Sequence, residues 1–262
     1  MGSHFDFVAS AYDKDFTHSA VGKRQRQMVY NFLETRLDLW NVILEVNCGT
    51  GEDALWFAGK GKQILATDIS SEMIKTAQAK ADACNAKNID FKTLDITEIN
   101  TLDSNKKYDL IFSNFGGLNC LDGEELLAFL ETARDKLLSH EGRIVMVVMS
   151  KGSIWESLFY LRKLNLRKAF RRNTNSALLV NVNGQNVPTY YYNPSFFKKV
   201  KQSFSVEAIQ NVAFFLPPSY LEPIFAKRPE LLNFLSRMER RFCKLSFLAG
   251  FADHYLIELK PR

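Results

Sequence analysis

The sequence predicts an α/β fold built on a mostly parallel β-sheet, with an insertion late in the chain. Short apolar segments alternate with amphipathic helical segments through about the first 150 residues, which is the pattern of successive βαβ units. A glycine-containing turn, Asn47–Gly51, follows the first apolar segment, at the place where such sheets bind ligands. After Met149 the alternation stops and a helix and a hairpin are predicted instead. These three observations favour one ligand-binding sheet that carries an inserted segment.

The first half of the chain contains five predicted strands. They cover residues 42–46, 63–67, 89–94, 108–113 and 143–149. Helices are predicted at 5–39, where residues 21–39 carry apolar residues on one stripe, then at 52–59, from Ser70 or Ser71 to about residue 86, and at 124–138. Because βαβ units place successive strands parallel, the carboxyl ends of these strands should meet along one edge of the sheet.

The second half has a different pattern. A helix is predicted at 155–172, and two strands at 177–182 and 186–192 flank Asn183-Gly184, the favoured residues of a type I′ hairpin turn. The remaining elements are a helix at 194–201, a strand at 204–215, helices at 220–226 and 229–245, and a strand at 253–259. We therefore divide the chain into a core at 5–150, an inserted cap at 151–193, and a C-terminal part at 194–262 that completes the sheet.

Composition and charge limit the class of protein. The 262 residues are 46% hydrophobic and carry a net charge of +5, which suits an anionic ligand but is too small to indicate nucleic acid. The four cysteines show no C-x-x-C spacing, and the histidines lack the spacing of metal ligands, so neither zinc nor any other metal is predicted. Free thiols suit the cytoplasm, and no apolar run is long enough to predict a transmembrane segment.

The turn after the first strand is the strongest functional signal. Gly49 and Gly51 allow the backbone to approach a ligand, and the helix that follows offers free N–H groups. The spacing Gly49-x-Gly51-x-x-Ala54, with Asp68 further on, also satisfies the dinucleotide-binding pattern. The turn by itself leaves a nicotinamide cofactor and an adenosyl cofactor as alternatives.

Polar residues at the other strand ends separate these alternatives. Glu45 lies within the first strand, Asp95 ends the third, and Asn114 follows the fourth. An adenosyl ligand requires a carboxylate for its ribose diol, an acceptor for its adenine amine and a turn for its amino-acid tail. A dehydrogenase requires neither Asp95 nor the segment after the fourth strand.

Five segments resemble the motifs of class I S-adenosylmethionine-dependent methyltransferases, in their order and spacing. They are VILEVNCGTGEDA at 42–54, ATDISSEMI, FKTLDI, YDLIFSNF and GRIVMVV. FDFVASAYD near the N-terminus resembles the leading helix of bacterial small-molecule members, and the likeness covers about residues 5–150. The resemblance implies a Rossmann-like fold with a mostly parallel seven-stranded sheet and S-adenosylmethionine as cofactor. Asn47 replaces the first glycine of the usual motif, which the turn tolerates if Asn47 is left-handed.

The same resemblance implies roles for particular residues. Asp68 would bind the ribose hydroxyls, while Asp95 and Ile96 would frame the adenine. The methionine portion would meet the backbone of Gly49 and Asn114, with Arg26 on its carboxylate, Tyr12 closing the pocket and Met73 packing on the adenine or ribose. The rest of the predicted cofactor-binding set comprises Glu45, Asn47, Cys48, Gly51, Asp53, Ile69 and Phe115.

Each of these residues also has a purely structural interpretation. Asp95 begins an Asp-x-x-Glu pattern typical of a helix cap, Asp68 suits a turn, and Asp53 suits a helix dipole. Arg26 has charged neighbours typical of a surface, and Tyr12 suits a core. The ordered set, rather than any single member, indicates cofactor binding.

The methyl acceptor is less well specified. We predict an unidentified small molecule, apolar or aromatic, bound near Asn119, Tyr191, Phe215 and Tyr220, and no catalytic base is identified. Residues 162–172, RKLNLRKAFRR, hold six positive charges, typical of a solvated helix face, an acidic-substrate rim or an anionic lipid contact. SNFG after the fourth strand differs from the Asn-Pro-Pro-aromatic motif of enzymes that methylate base amines. A nicotinamide-dependent oxidoreductase and a catalytically silent adenosyl-binding module remain alternative functions.

Overall fold

A seven-stranded sheet forms the centre of the computed structural model, which describes residues 13–182 and 184–262. Its strands are β1 (Val42–Val46), β2 (Gln63–Asp68), β3 (Ile89–Thr93), β4 (Tyr108–Ser113), β5 (Leu138–Met149), β8 (Phe204–Val212) and β9 (His254–Pro261). Their order is β3-β2-β1-β4-β5-β9-β8, with β1 to β5 parallel and β9 antiparallel to both of its neighbours. The mostly parallel seven-stranded sheet is therefore confirmed.

Helices cover both faces of this sheet. They are α1 (Ala20–Glu34), α2 (Glu52–Gly59), α3 (Ser71–Ala83), α4 (Gly123–Thr132), α5 (Ile154–Leu161), α6 (Leu166–Ala169), α7 (Glu222–Phe225) and α8 (Pro229–Phe242). Adjacent residues of β1 point to opposite faces: Ile43 packs in one core with α1 and α2, and Leu44 packs in the other with α4. A polar cap also begins α3, where the Ser70 hydroxyl accepts a hydrogen bond from the Met73 amide at 3.1 Å.

The inserted hairpin is a separate two-stranded sheet of β6 (Leu178–Val182) and β7 (Gln185–Thr189). Val182 pairs with Gln185, so the connection has two residues, and Gly184 has the positive φ of 90° expected in such a turn. Asn183 lies outside the described residues, as do Tyr12 and the beginning of the predicted first helix.

The predicted helix at 155–172 is wrong, because two short helices, α5 and α6, replace it. Leu164 between them has a φ of 53°, a left-handed conformation that ends a helix, and the Asn165 side chain accepts a hydrogen bond from Lys168 and starts the next one. The segment 194–200 is a 3₁₀ helix, and 133–137 is one wider turn that extends α4. Within the described part of the chain, no helix is both long and apolar enough to cross a bilayer.

Candidate functional site

The carboxyl ends of β1, β2 and β4 meet at one edge of the sheet, as the parallel topology requires. The turn after β1 passes through three left-handed residues: Asn47 at a φ of 58°, Gly49 at 54° and Gly51 at 76°. Asn47 thus adopts the conformation on which the predicted turn depends. Gly51 also has a packing reason to lack a side chain, because a Cβ there would lie 2.7 Å from the Ala77 Cβ.

Asp68, at the end of β2, holds this turn in place. One of its carboxylate oxygens accepts a hydrogen bond from the Gly49 amide at 2.8 Å, and the other accepts one from the Ser70 amide at 2.9 Å. The side chain is buried yet lines a cavity at the sheet edge. Asp68 therefore joins two strand ends and presents a carboxylate to the same space as Gly49.

That cavity has a volume of about 220 Å³ and lies between the sheet edge and the inserted hairpin. Of the predicted cofactor-binding residues, it brings together Asn47, Gly49, Asp68, Ile69, Met73, Asn114 and Phe115. The remaining lining residues were not predicted: Gly116, Gly117, Cys120, Met149, Val180, Val182, Val187 and Thr189. The cavity consequently has a polar wall from the sheet and an aliphatic wall from β6 and β7.

The aliphatic wall could have been predicted from valines that alternate with other residues along β6. Val180 and Val182 lie two residues apart on β6, with exposed Leu179 and Asn181 on the opposite face. Glycine at 116 and 117 also has a steric reason. A Cβ on Gly117 would lie 2.4 Å from the Asn47 Cβ, and one on Gly116 would lie 2.5 Å from the Met149 Cε.

Cys120 places a thiol at the cavity. Burial, with a smaller contribution from the charge of Asp68, raises the pKa of this thiol to about 11. Cys120 is thus a neutral thiol near pH 7, and the thiol form is a poor nucleophile.

Arg26 and Asp53 form a buried ion pair just behind the cavity. The Arg26 guanidinium lies 2.5 Å from Asp53, which also accepts hydrogen bonds from Tyr30 at 2.8 Å and from Asn114 at 3.0 Å. The guanidinium also lies 5.1 Å from the centre of the Phe115 ring. Neither Arg26 nor Asp53 lines the cavity, so both contact it through Asn114 and Phe115.

Glu45 is the most deeply buried carboxyl group of this region. It is 1% exposed, and among the described residues its Oε2 has no hydrogen-bond partner. Burial raises its pKa well above the ordinary value, and the charges of Asp53 and Asp68 add to this effect while Arg26 opposes it. Folding therefore favours the protonated form of Glu45.

Replacing Glu45 with glutamine should make stability less dependent on pH. A folded-state pKa above the unfolded value means that the native state binds more protons, so the wild-type free energy of unfolding falls as pH rises above about 4.5. Glu45→Gln cannot ionise and should escape that loss. Urea unfolding at about pH 5 and about pH 8 measures the difference. We expect the free energy of unfolding of the variant, relative to that of the wild type, to be higher at about pH 8 than at about pH 5. The same difference at both pH values would show that Glu45 is ionised in the folded protein.

At the third strand end, Asp95 has the capping role that its sequence pattern also indicates. Asp95 accepts hydrogen bonds from the Thr97 amide at 2.9 Å and the Thr97 hydroxyl at 2.8 Å, so it caps its own turn. Ile96 lies in a separate groove with Leu121 and Phe129. Neither residue lines the 220 Å³ cavity, and Cys48 and Gly51 also lie outside its lining.

Asn119 fastens the segment after β7 to the sheet. This fully buried side chain accepts a hydrogen bond from the Met149 amide at 2.9 Å and donates one to the Tyr190 carbonyl at 2.5 Å. The Tyr192 hydroxyl donates to the Leu121 carbonyl at 2.5 Å. Asn119 is therefore a structural anchor of the cap in this conformation.

The aromatic residues predicted to bind the acceptor do not line the cavity. Tyr191 stacks under Arg172, with 5.0 Å between the guanidinium carbon and the ring centre, and Phe215 lies against Phe214 and Phe242. Tyr220 contacts Phe159 on α5. The residues nearest the sheet edge on the hairpin are aliphatic, because the tyrosines come after β7 ends.

A buried ionic cluster attaches the first part of the cap to β9. Arg172 lies 2.7 Å from Glu156 and 2.8 Å from Asp253, and Arg171 lies 2.6 Å from Glu156. Although burial opposes ionisation, Arg172 and His254 hold the pKa of Asp253 well below its usual range. Two of the six positive charges at 162–172, those of half-buried Arg171 and buried Arg172, are therefore paired with carboxylates of the protein.

Comparisons with known proteins agree with this arrangement. Residues 43–141 match the family described as a methyltransferase domain. The malonyl-[acyl-carrier protein] O-methyltransferase of Hamiltonella defensa is 28% identical over 153 residues, which cover 57% of this chain and 54% of that protein. The chain spans about half the length of the curated relatives it matches.

Two solved structures show the same fold over nearly the whole chain. An S-adenosylmethionine-dependent methyltransferase from Clostridium acetobutylicum has a TM-score of 0.59 and 14% identity, and the alignment covers 98% of this chain and 99% of that one. The DhpI–SAH complex also has a TM-score of 0.59 and 14% identity, covering 98% and 93%. Residues 43–141 therefore match a methyltransferase domain, and the sheet around them has the same fold as these two structures.

Proposed function

We propose that the chain transfers a methyl group from S-adenosylmethionine to a small, largely apolar molecule. The observation that supports this proposal most directly is the cavity that Asp68 and Gly49 share with the aliphatic face of the hairpin. The methyltransferase-domain match and the relatives named above supply the reaction class. No comparable observation favours the oxidoreductase or the silent module.

The residues present fit this cofactor in their chemistry. Asp68 offers a carboxylate for the ribose hydroxyls, and the left-handed Gly49 turn offers backbone beside it. Ile69 and Met73 supply apolar surface next to that carboxylate for the adenosine. Asn114, held by Asp53 at 3.0 Å, would face the amino-acid portion.

When bound, S-adenosylmethionine supplies a methyl group already activated by a sulfonium. An acceptor lone pair would form the new bond to that methyl carbon as the carbon–sulfur bond breaks and its electrons return to sulfur, with Asp68, Gly49 and Asn114 holding the donor. The protein's part is alignment and exclusion of water. The wall of Val180, Val182 and Val187 keeps the space apolar, and Cys120, as a neutral thiol, does not compete for the methyl group.

The same wall supports an apolar acceptor. The lining residues from β5 and the hairpin are aliphatic or thioether side chains apart from Thr189. Apolar walls with a few polar groups on one side are typical of small-molecule sites. We assign acceptor recognition to Met149 and the hairpin rather than to Tyr191, Phe215 or Tyr220.

Calorimetry tests the cofactor directly. S-adenosylmethionine and S-adenosylhomocysteine should each bind with a micromolar-scale Kd, about −8 kcal/mol, whereas NAD should give no heat. NAD binding without adenosylmethionine binding would contradict the proposal. Incubation with S-adenosylmethionine and a protein-free cell extract should release S-adenosylhomocysteine. Cofactor binding with no release from any extract would favour the silent module.

A further inference from the structure

We propose that the outer surface of the cap, formed by α5, α6 and the turn between them, docks on an anionic lipid bilayer. This inference goes beyond methyl transfer and does not depend on it. It concerns a surface, which we call the 154–170 face, that carries exposed apolar and basic side chains together.

The apolar part of this face is unusually exposed. Leu164 is 92% exposed, Leu166 is 65% exposed and Phe170 is 60% exposed. Leu166 begins α6 and Phe170 directly follows its last residue, the buried Ala169, so the two exposed side chains are four residues apart, a spacing that places them near one another. Leu158 and Ile154 form a matching exposed row on α5.

The backbone holds these side chains at a projecting corner. The Ser157 hydroxyl donates a hydrogen bond to the Ala169 carbonyl at 2.8 Å, which fixes α5 beside α6. Leu164 occupies the turn between them in a left-handed conformation that is costly for a branched residue. Because the Leu164 side chain is exposed, it gains no stability from burial within the protein. Contact with an external apolar phase would account for a leucine here better than contact with water does.

Charge indicates what that contact is. Residues 157–206 contain nine Lys and Arg and no Asp or Glu, whereas the whole chain has a net charge of +5, so the remainder carries a net −4. Arg171 and Arg172 are used in the internal cluster. Arg162, Lys163, Arg167 and Lys168 are exposed, and no ion pair within the described residues involves them.

Apolar side chains flanked by cations are the pattern of a surface that lies in the headgroup region of a membrane. The apolar groups enter the acyl boundary, and the basic groups contact anionic headgroups. A nucleic acid would use the charges but not a leucine and a phenylalanine projecting into solvent. A protein partner would need acidic and apolar groups placed to match this face, whereas a bilayer offers anionic headgroups above an acyl layer at every point of its surface. We therefore assign the 154–170 face to anionic lipid.

Vesicle flotation of the full chain tests this assignment. The protein should float with phosphatidylcholine vesicles that contain phosphatidylglycerol, and at least about tenfold less with pure phosphatidylcholine or at high salt. No flotation with the anionic vesicles would overturn the proposal.

Paired variants connect the binding to the face. Arg167→Glu with Lys168→Glu should lower partitioning more than about tenfold, whereas Lys87→Glu with Lys92→Glu, an equal charge change on exposed lysines near β3, should have much less effect. Leu164→Ser with Phe170→Ser should also abolish flotation. Leu39→Ser is its control, because Leu39 is 61% exposed just before β1, at the opposite end of the sheet.

Two results would contradict the assignment. One is an equal loss of flotation in the face variants and in their controls, which would show that the vesicles attract the protein non-specifically. The other is flotation unchanged by Leu164→Ser with Phe170→Ser while labelled RNA or duplex DNA binds more tightly than vesicles, which would assign the charges to nucleic acid. All six substituted side chains of the face and the β3 control are exposed, so the variants should fold, and thermal unfolding checks this.

Discussion

Asp68→Ala is expected to reduce S-adenosylmethionine binding at least a hundredfold, whereas Asp95→Ala should change it only a few-fold. Asp68 would give the ribose two charge-assisted hydrogen bonds, each worth about 1.5–3 kcal/mol. A loss of about 3 kcal/mol already corresponds to more than a hundredfold in Kd. Asp95 accepts both of its hydrogen bonds from Thr97 and does not line the cavity.

The structure also explains why the alanine variant needs a companion. Asp68 accepts the Gly49 and Ser70 amides, so its removal loosens the turn as well as deleting the carboxylate. Asp68→Asn keeps one acceptor oxygen for the turn and loses the charge. Calorimetry on both variants, with circular dichroism as the check on folding, separates the two effects. A folded Asp68→Ala that binds the cofactor normally would refute the assignment.

Strand positions were predictable because local sequence determines them. β1 and β4 have the predicted bounds, 42–46 and 108–113, since each is a short buried apolar segment between polar turns. The residues at their carboxyl ends must then share an edge. That is why Asn47, Gly49, Asp68 and Asn114 could be placed at one site before any contact was known.

The cap was not predictable in the same way. Its position depends on long-range contacts such as the Asn119 side chain with Met149 and Tyr190, which leave no periodic pattern in the sequence. The break between α5 and α6 depends on a single left-handed leucine, a residue with little tendency to that conformation. Tyr191 was predicted to bind the acceptor, but its two neighbours are used for anchoring, through the Tyr190 backbone and the Tyr192 hydroxyl.

Shortening the hairpin should abolish methyl transfer while leaving most cofactor binding intact. We propose replacing residues 178–189 with a short Gly-Ser linker and retaining Tyr190 and Tyr192, which bond to the segment after β4. The deletion removes Val180, Val182, Val187 and Thr189 from the cavity but none of the polar residues of the sheet edge. Release of S-adenosylhomocysteine from the active cell extract should fall at least about a hundredfold, because water enters and the acceptor loses its wall.

A gentler pair of variants tests the same wall without deleting it. Val180 and Val187 are cross-strand partners that both line the cavity, so Val180→Ser with Val187→Ser should lower turnover about tenfold or more. Leu179 lies on the outer face of the same strand, and its side chain is 68% exposed in the wild-type protein. Leu179→Ser should therefore leave turnover unchanged. Calorimetry should show S-adenosylmethionine binding within a few-fold of wild type in both the Val180 and Val187 double variant and Leu179→Ser.

The competing interpretation makes the hairpin a dimer contact or a cover for exposed backbone. It expects the shortened protein to change its oligomeric state, measured by light scattering, while turnover per chain persists. Our interpretation expects turnover to be lost whatever the oligomeric state, and expects the inner-face serines to matter where the outer-face serine does not. Equal effects from Leu179→Ser and from the Val180 and Val187 pair would show that the inner face has no special part in binding the acceptor. Persistence of turnover after the deletion would remove the hairpin from the acceptor site and leave Met149 and Phe115 as its nearest remaining apolar surface.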